Sequence, residues 1–302
     1  MSITLRNYDS PADYYRIRDF LAENYLPENQ DGNFLQPTWD YMHSHPNLDE
    51  TALNRIGIWE EGGKIVAVTH YEAQLGEAFF ELRPGYSFLK PQMLEYAEKH
   101  LYIETDGGRR SLNAYVNDFD QELEALVKSG GYKVDDQNAR PMSHFPISGS
   151  FRPAISLPDG FRIKTLAEEN DLHKIHRVLW RGFNHPGEPP PEGLGWRVKM
   201  QSGPYFRKDL TLVVEAPDGN YAVFCGMWYE ARNKIAFVEP LATDPAYRRM
   251  GLAKAAVLDG IRRCGELRAN DAFVGSDQAF YLAIGFRKLF TSNSWVKNWQ
   301  AE

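Results

Sequence analysis

The chain has 302 residues, about twice a common domain length, so two domains of roughly 150 residues are expected. Hydrophobic residues make up 43% and charged residues 25% of the sequence, which excludes a disordered or fibrous protein. The net charge of -7 argues against a nucleic-acid partner, because a duplex binder needs a concentrated basic face, and it fits either a cationic substrate or simple solubility.

The same series of elements is predicted in each half of the chain. It comprises a short strand, an amphipathic helix, a hairpin, a strand that leads into a helix, and a short helix that ends in Gly plus an aromatic residue. In the first half these elements are a strand at 3–6, a helix at 11–24, a hairpin at 56–72, a strand through 78–81 and the end at Gly131-Tyr132. In the second half they are a strand at 161–165, a helix at 168–182, a hairpin at 212–230, a strand at 235–243 and the end at Gly285-Phe286.

A constant offset relates the two halves. Ala78-Phe79-Phe80-Glu81 matches Ala236-Phe237-Val238-Glu239, and this offset of 158 (239 minus 81) also aligns Asp13 with Asp171. The agreement in order and spacing predicts a tandem repeat.

Two stretches rich in proline and glycine interrupt the pattern. Residues 148–160 have the composition of a linker, which places a boundary near Arg152 and predicts one domain at 1–150 and another at 151–302. Residues 184–195, with prolines at 189, 190 and 191, are predicted to form a long loop over one end of the sheet.

The most informative segment is 235–263, in which a strand, a basic glycine loop and a helix follow one another. The strand ends at Thr243-Asp244-Pro245, and the helix starts at Leu252. A helix N-terminus leaves amides unpaired and carries partial positive charge, so it suits an anion. Gly251 lets a ligand approach the main chain, while Arg248 and Arg249 add positive charge.

Arg248-x-x-Gly251-x-Ala253 resembles the Gln/Arg-x-x-Gly-x-Gly/Ala signature with which GCN5-related N-acetyltransferases (GNAT) hold the coenzyme A pyrophosphate. Leu241-Ala242-Thr243-Asp244-Pro245 is similar to the exit of the family's fourth strand. Residues 280–286, FYLAIGF, are similar to its late helix end. The resemblance implies an α/β (α+β) fold of two tandem GNAT-like domains, each a mixed, mostly antiparallel sheet flanked by helices.

The resemblance also implies a function, namely transfer of an acetyl group from acetyl-CoA to a primary amine of a small molecule or peptide by direct attack. Tyr281 is expected to be the general acid, and Glu239 the base or a structural residue. Asp244 is expected to be a cap or turn residue. The residues expected to contact the cofactor are Leu241, Ala242, Thr243, Arg248, Arg249, Met250, Gly251, Leu252, Ala253, Lys254 and Ser276. The contact of Ser276 would replace one made by an asparagine in many relatives.

The first half departs from the signature, because Glu81 is followed by 82–91, LRPGYSFLKP, with a proline at the expected helix start. A degenerate repeat that has no cofactor cradle is therefore predicted at 1–150. The alternatives to an enzyme are a non-catalytic acyl-CoA-binding regulator and a scaffold protein. The sequence does not identify the amine.

Other features limit the partners. The two cysteines, Cys225 and Cys264, lie in apolar or helical context and predict neither disulfides nor a metal site. His173, His176 and His185 lack ligand spacing, so no metal is expected. With no apolar signal core at 1–9 and no bilayer-length apolar stretch, a cytoplasmic monomer or homodimer without membrane contact is predicted.

Overall fold

The computed structural model describes residues 2–9, 11–27, 31–32, 34–105 and 107–300. Residue 1 of the first predicted domain and residues 301–302 of the second lie outside the described residues. The chain forms two compact units. Unit 1 consists of Met1–Met42, Asn47–Met142 and Leu289–Glu302, and unit 2 of His43–Pro46 and Ser143–Lys288.

The helices and strands follow the chain in two series. Up to residue 146 they are β1 (Ile3–Asn7), α1 (Ala12–Asn24), α2 (Gln36–Ser44), β2 (Gly57–Glu61), β3 (Lys64–His70), β4 (Glu77–Leu82), α3 (Lys90–His100), β5 (Ile103–Thr105), β6 (Arg109–Asn117), α4 (Gln121–Ser129) and β7 (Lys133–Pro146). After it they are β8 (Arg162–Thr165), α5 (Leu172–Gly182), α6 (Leu194–Met200), β9 (Leu212–Glu215), β10 (Tyr221–Glu230), β11 (Ile235–Thr243), α7 (Leu252–Glu266), β12 (Asp271–Val274), α8 (Ala279–Ala283) and β13 (Arg287–Gln300).

In unit 1, strands β1 to β4 are antiparallel neighbours, and β6 is parallel to β4. The strand that completes this sheet is the C-terminal β13, which pairs with β6 from Ser292 to Gln300. Helices α1 and α3 contact β3, and the core contains fully buried Ile17, Trp39 and Met93. The predicted class, a mixed and mostly antiparallel sheet flanked by helices, is confirmed for this unit.

In unit 2, strands β8 to β11 are antiparallel neighbours, and β12 is parallel to β11. Residues 143–146 of β7 pair with β12. Side chains alternate between two faces of the sheet, so that Val223 and Cys225 belong to the core cluster that contains α7, while Phe224 belongs to the one that contains α5. The same fold class is confirmed here.

The register of the parallel strands supports the repeat. In unit 1, Ala78 of β4 faces Ala114 of β6, and in unit 2, Ala236 of β11 faces Ala272 of β12. Each residue of the second pair lies 158 positions after its counterpart in the first pair (236 minus 78 and 272 minus 114). The offset that aligns the sequences of the two halves therefore also relates equivalent pairs of hydrogen-bonded strands.

The compact units are not continuous in sequence. Unit 1 takes its last strand from beyond the linker, and unit 2 takes its last strand from before it. Leu289–Glu302 belongs to unit 1, and the end of β7, residues 143–146, belongs to unit 2. The backbone hydrogen bonds of β6 and β12 determine these memberships. The division into functional domains at 1–150 and 151–302 stays a prediction.

In the degenerate repeat, a lysine fills the position at the start of α3. Lys90 is 2% exposed, and its ammonium lies 2.7 Å from a carboxylate oxygen of Asp31 and 2.8 Å from one of Asp120. Glu122 contributes a third carboxylate at 3.3 Å. Upstream, the amide of Leu89 already donates to Tyr86. The start of α3 is therefore occupied by side chains that form ion pairs with one another.

Two helices were not predicted. Helix α2 carries buried Trp39 and Met42 three residues apart, a helical spacing that the sequence does show. Helix α6, preceded by the 3₁₀ helix Pro191–Gly193, begins inside the predicted loop at 184–195. The irregular part of that loop is therefore only the stretch from residue 184 to 190.

Candidate active site

The turn between β11 and α7 combines a short 3₁₀ helix with two left-handed residues. The Asp244 carboxylate accepts from the Ala246 amide at 3.0 Å and caps the short 3₁₀ helix Pro245–Tyr247, as expected. Arg249 and Gly251 then adopt left-handed backbone angles, with φ of 66° and 78°. A Cβ added to Gly251 would meet no atom within 4 Å, so this glycine borders open space.

The amides of residues 249–254 have no acceptor among the residues that the structure describes. The first amide of this series to be satisfied is that of Ala255, which donates to the Gly251 carbonyl at 3.1 Å. Unpaired amides at a helix N-terminus, together with the helix dipole, favour a bound anion. The main chain here has the properties of a phosphate cradle, and we call residues 249–254 the cradle.

The cradle opens into a cleft of about 730 Å³ within unit 2, a volume in the usual range for small-molecule sites. Every residue predicted to contact the cofactor lines this cleft except Ser276. The lining residues are Gly182, Leu241, Ala242, Thr243, Tyr247, Arg248, Arg249, Met250, Gly251, Leu252, Ala253, Lys254, Gln278, Phe280, Tyr281, Ala283 and Ile284.

The cleft lies where β11 and β12 separate. Their parallel pairing ends at Phe237 and Phe273. Beyond that point β11 pairs only with β10, and a β-bulge sets Glu239 and Pro240 opposite the single residue Gly226. A Cβ on Gly226 would lie 2.2 Å from the Glu239 carbonyl oxygen, so only glycine fits this place. The bulge directs the following residues, Leu241 to Thr243, along the cleft wall.

Tyr281 lies on α8 and lines the cleft. It is 8% exposed, and its ring contacts the rings of Phe280 and Phe286 with centroids 5.0 and 5.8 Å away. Burial raises the pKa of Tyr281, and the negative charge of Glu239 raises it further. The hydroxyl is therefore protonated at neutral pH, as a proton donor must be.

Two predicted site residues lie outside the cleft lining. Glu239 is partly exposed on β11, close enough for its charge to raise the pKa of Tyr281, and its backbone carbonyl accepts from the Trp228 indole at 2.9 Å. Ser276 lies in the turn after β12, where its hydroxyl accepts from the Gln278 amide at 3.3 Å. The structure brings Gln278, which was not predicted, to the cleft in its place.

The three basic residues of the cleft have different surroundings. The Arg248 guanidinium donates to the backbone carbonyls of Gly182 and Thr243 and to Asn184 Oδ1. Arg249 and Lys254 have no hydrogen-bond or ion-pair partner in the part of the chain that the structure describes. Arg249 and Lys254 are therefore the cations that face an incoming anion without a competing partner, and Arg248 is engaged with the protein.

Asp244 holds the C-terminal end of β11 in place. It is fully buried, and its carboxylate accepts from Arg181 at 2.7 Å and from Arg177 at 2.9 Å, both on α5. Burial opposes ionisation, but the hydrogen bonds from Arg181 and the Ala246 amide and the charges of both arginines prevail and lower the pKa of Asp244. The carboxylate fastens the end of β11 to α5.

Replacing Asp244 with Asn should lower the free energy of unfolding by about 3 kcal/mol at pH 7, measured by urea denaturation. This is the low end for breaking a buried ion pair, because the arginine side chains remain 27% and 29% exposed. A carboxyl group with a lowered folded pKa stabilises above its unfolded pKa of about 4 and loses this contribution as the pH falls. The difference between variant and wild type should therefore shrink below about pH 4.

The matched control is Asp209→Asn, which removes the same charge from an ion pair with Arg207 whose side chains are 40% and 53% exposed. Its effect should stay below about 0.5 kcal/mol. A loss at position 244 as small as that of the control would show that Asp244 does not anchor the strand.

The histidines lie in packing environments. His176 is 2% exposed and contacts the Pro190 carbonyl at 2.9 Å, and His185 stacks on Trp180 with centroids 4.4 Å apart. Within the described ranges, no group of three or more His, Cys, Asp or Glu side chains is placed to hold a metal ion. The helices of the described chain all fall short of the length and apolar character that crossing a bilayer requires.

Several cleft residues were missed by the sequence analysis. Phe280, Ala283 and Ile284 lie in the segment that carried the resemblance, at helical spacing around Tyr281, so this signal was present. Gly182 gave no signal, because its place beside the cleft depends on how α5 packs. A Cβ there would lie 2.8 Å from the Ala242 Cβ.

Residues 172–286 match the model of the Acetyltransferase (GNAT) family. The chain matches none of the curated protein sequences. Solved structures with a similar fold include a GCN5-related N-acetyltransferase from Sphaerobacter thermophilus, at 15% identity, with 98% of this chain and 95% of that chain covered and a TM-score of 0.64.

Two further structures extend the comparison. A tandem GNAT protein from the clavulanic acid biosynthesis pathway has 14% identity, a TM-score of 0.67 and 100% of both chains covered. Saccharomyces cerevisiae N-myristoyltransferase with bound myristoyl-CoA has 12% identity and a TM-score of 0.57, with 99% of this chain and 81% of that chain covered. At these identities the likeness shows the fold, which spans both halves.

The family match covers the strand, the cradle and the Tyr281 helix, and the tandem fold covers the rest of the chain. Residues 172–286 therefore carry a domain of the GNAT acetyltransferase family, and the chain as a whole has the fold of tandem GNAT proteins.

Proposed function

We propose that unit 2 binds acetyl-CoA in the cleft and transfers the acetyl group to a primary amine of a small molecule or peptide. The observation that carries the proposal is the series of unpaired amides at 249–254, which lines the same cleft as the protonated Tyr281. Family membership supports acyl-CoA chemistry; acetyl as the group and an amine as the acceptor are our proposal.

The cleft suits coenzyme A in both its polar and its apolar parts. The diphosphate would bind the cradle amides, with Arg249 and Lys254 neutralising its charge. The pantetheine arm would lie along Leu241 to Thr243, whose main chain pairs only with β10 on its other edge. Met250, Phe280 and Ile284 supply apolar wall. A side chain at 251 would enter the open space of the cradle, and glycine leaves it clear.

Bound acetyl-CoA supplies a thioester whose carbonyl carbon an amine can attack. Tyr281 would donate its hydroxyl proton toward the leaving sulfur, a role that burial supports by keeping the phenol protonated. Glu239 would accept the proton lost by the amine, directly or through water. The backbone amide near Leu241 would stabilise negative charge on the carbonyl oxygen.

The acceptor would enter near the segment after α5, since variable loops carry recognition in most enzymes. The net charge of -7 is compatible with a cationic amine. We expect the protein to act as a monomer or homodimer, without nucleic acid, membrane or metal.

A second candidate is a non-catalytic regulator that binds acyl-CoA. One observation favours it: Glu81, the counterpart of Glu239 in the degenerate repeat, accepts from the Phe34 amide at 3.1 Å, so a glutamate at this place can be structural. The two candidates differ in turnover and agree in cofactor binding.

Release of free thiol from acetyl-CoA, measured with a panel of polyamines, aminoglycosides, amino-sugars and peptides with free N-termini, tests the enzymatic proposal. Thiol release that depends on one acceptor class, with mass spectrometry showing a gain of one acetyl group on nitrogen, is the expected result. Tight acetyl-CoA binding with no release across the panel would favour the regulator, and no binding would remove both candidates.

A further inference from the structure

The first basic residue of the signature, Arg248, makes its hydrogen bonds to the protein itself. Arg248 Nη2 donates to the Gly182 carbonyl at 3.0 Å and to Asn184 Oδ1 at 2.7 Å, and Nε donates to the Thr243 carbonyl at 3.3 Å. Its partners belong to the end of α5, to the residue that follows it closely, and to the end of β11. A guanidinium held by three acceptors links the end of α5 to the end of β11.

The end of α5 rests directly on β11. A Cβ on Gly182 would lie 2.8 Å from the Ala242 Cβ and 3.0 Å from the Thr243 amide nitrogen, so the two backbones touch. Gly182 also lines the cleft. The Arg248 guanidinium binds the last carbonyl of the helix, a place where positive charge is favourable.

Residues 183–190, which we call the proline segment, are fastened to α5. Trp180 donates to the Pro186 carbonyl at 3.1 Å, and the imidazole of His176 lies 2.9 Å from the Pro190 carbonyl. Glu188 lies 3.4 Å from Arg181 and 3.6 Å from Arg177, the two arginines that hold Asp244. The proline segment, α5 and the exit of β11 therefore form one continuous set of polar contacts.

Asn184 combines an uncommon backbone conformation with a side-chain hydrogen bond from Arg248. Its backbone is left-handed, with φ of 61°, which is uncommon for a residue other than glycine. Its side chain accepts the 2.7 Å bond from Arg248, and its amide donates to the Arg181 carbonyl at 3.0 Å. Loss of the guanidinium would remove the contact that holds this turn against the cradle loop.

We infer that Arg248 is a positioning residue that joins the cradle to the proline segment, so that coenzyme A bound at the cradle orders this segment at the proposed acceptor side. The ordering effect of coenzyme A rests on the proposed function. The hydrogen bonds of Arg248 to the proline segment do not. Arg249 and Lys254 carry the charge interaction with phosphate, and Arg248 carries the link.

Hydrogen–deuterium exchange of the full chain, with and without coenzyme A, tests the inference. The amides of Phe183, Asn184 and His185 are bonded to carbonyls of α5 and report on the turn. In the wild type, coenzyme A should slow exchange at the cradle and at these three amides. In Arg248→Met they should exchange about tenfold faster without ligand and no longer respond to it, while the Kd for coenzyme A rises less than in Arg249→Met.

The matched control is Arg249→Met, which removes the neighbouring charge. It should weaken coenzyme A binding by about tenfold and leave exchange at 183–185 as in the wild type. The inference is overturned if Arg248→Met leaves exchange at 183–185 unchanged or if coenzyme A still slows it there. It is also overturned if Arg248→Met weakens binding as much as Arg249→Met does.

Two further measurements keep the outcomes distinct. If Arg248→Met does not fold by circular dichroism, Arg248→Lys carries the test, because lysine keeps the charge but lacks the fork that reaches three acceptors. If wild-type protein shows no binding of coenzyme A, the proposed function fails. Exchange at 183–185 in the ligand-free variants then still decides whether Arg248 holds the turn.

Discussion

Replacing Gly251 with Glu should abolish detectable binding of coenzyme A, with the Kd rising at least about 100-fold, or about 2.8 kcal/mol at 1.4 kcal/mol per factor of ten. The new side chain would enter open space at the cradle, where no protein atom lies within 4 Å, and would set a carboxylate against the diphosphate. Wild-type protein at 100 times its Kd should gain about 2.7 kcal/mol of stability, read as a thermal shift, and the variant should gain none.

Gly63→Glu is the matched control for backbone strain. Gly63 has φ of 77°, against 78° for Gly251, also borders open space, and lies in a hairpin turn of unit 1. Both variants should lose stability to a similar extent without ligand, about 1 to 2 kcal/mol for a left-handed residue with a side chain. If Gly251→Glu binds coenzyme A as Gly63→Glu does, the cradle does not hold the diphosphate.

Replacing Tyr281 with Phe should lower kcat by about 10² to 10⁴, the usual contribution of a positioned proton donor, and leave the Kd for coenzyme A within about threefold. The ring would keep its contacts with Phe280 and Phe286, so stability should change little. Because burial and nearby charge raise the pKa of Tyr281, the phenol keeps its proton as the pH rises. Wild-type kcat should therefore show no loss from this group below about pH 10.

Tyr247→Phe provides the control, since Tyr247 also lines the cleft but donates its hydroxyl to Asp218. Its kcat should stay within about threefold of the wild type. Steady-state kinetics with the best acceptor found in the panel gives both values. Equal kcat values for the Tyr281 and Tyr247 variants would assign Tyr281 to packing alone.

The first half has the same fold with different contacts at the start of its helix α3. Unit 1 retains the parallel register of unit 2 at an offset of 158 residues, yet Lys90 and three carboxylates stand where the second half has unpaired amides. An ammonium buried to 98% is stable only with such partners. The absence of a cofactor cradle at 1–150 stays a prediction.

The cofactor side of the site could be read from local sequence because its chemistry belongs to the main chain of one segment. Strand, glycine turn and helix start are consecutive from Leu241 to Lys254, so every predicted contact in this run lies at the cleft. Ser276 could not be placed in the same way. Its position depends on the length of the turn after β12, and the structure brings Gln278 to the cleft.

The sequence by itself determined the fold class, the repeat, the hairpins and the cradle, because periodicity, turn chemistry and a helix start are properties of neighbouring residues. Only the tertiary structure decided which strands complete each unit, since β13 and the end of β7 pair with partners far away in sequence. It likewise decided that Arg248 turns to Gly182 and Asn184, while Arg249 has no hydrogen-bond or ion-pair partner among the described residues. Two adjacent arginines look alike in a sequence, and the direction of each side chain follows from the acceptors that packing brings within its reach.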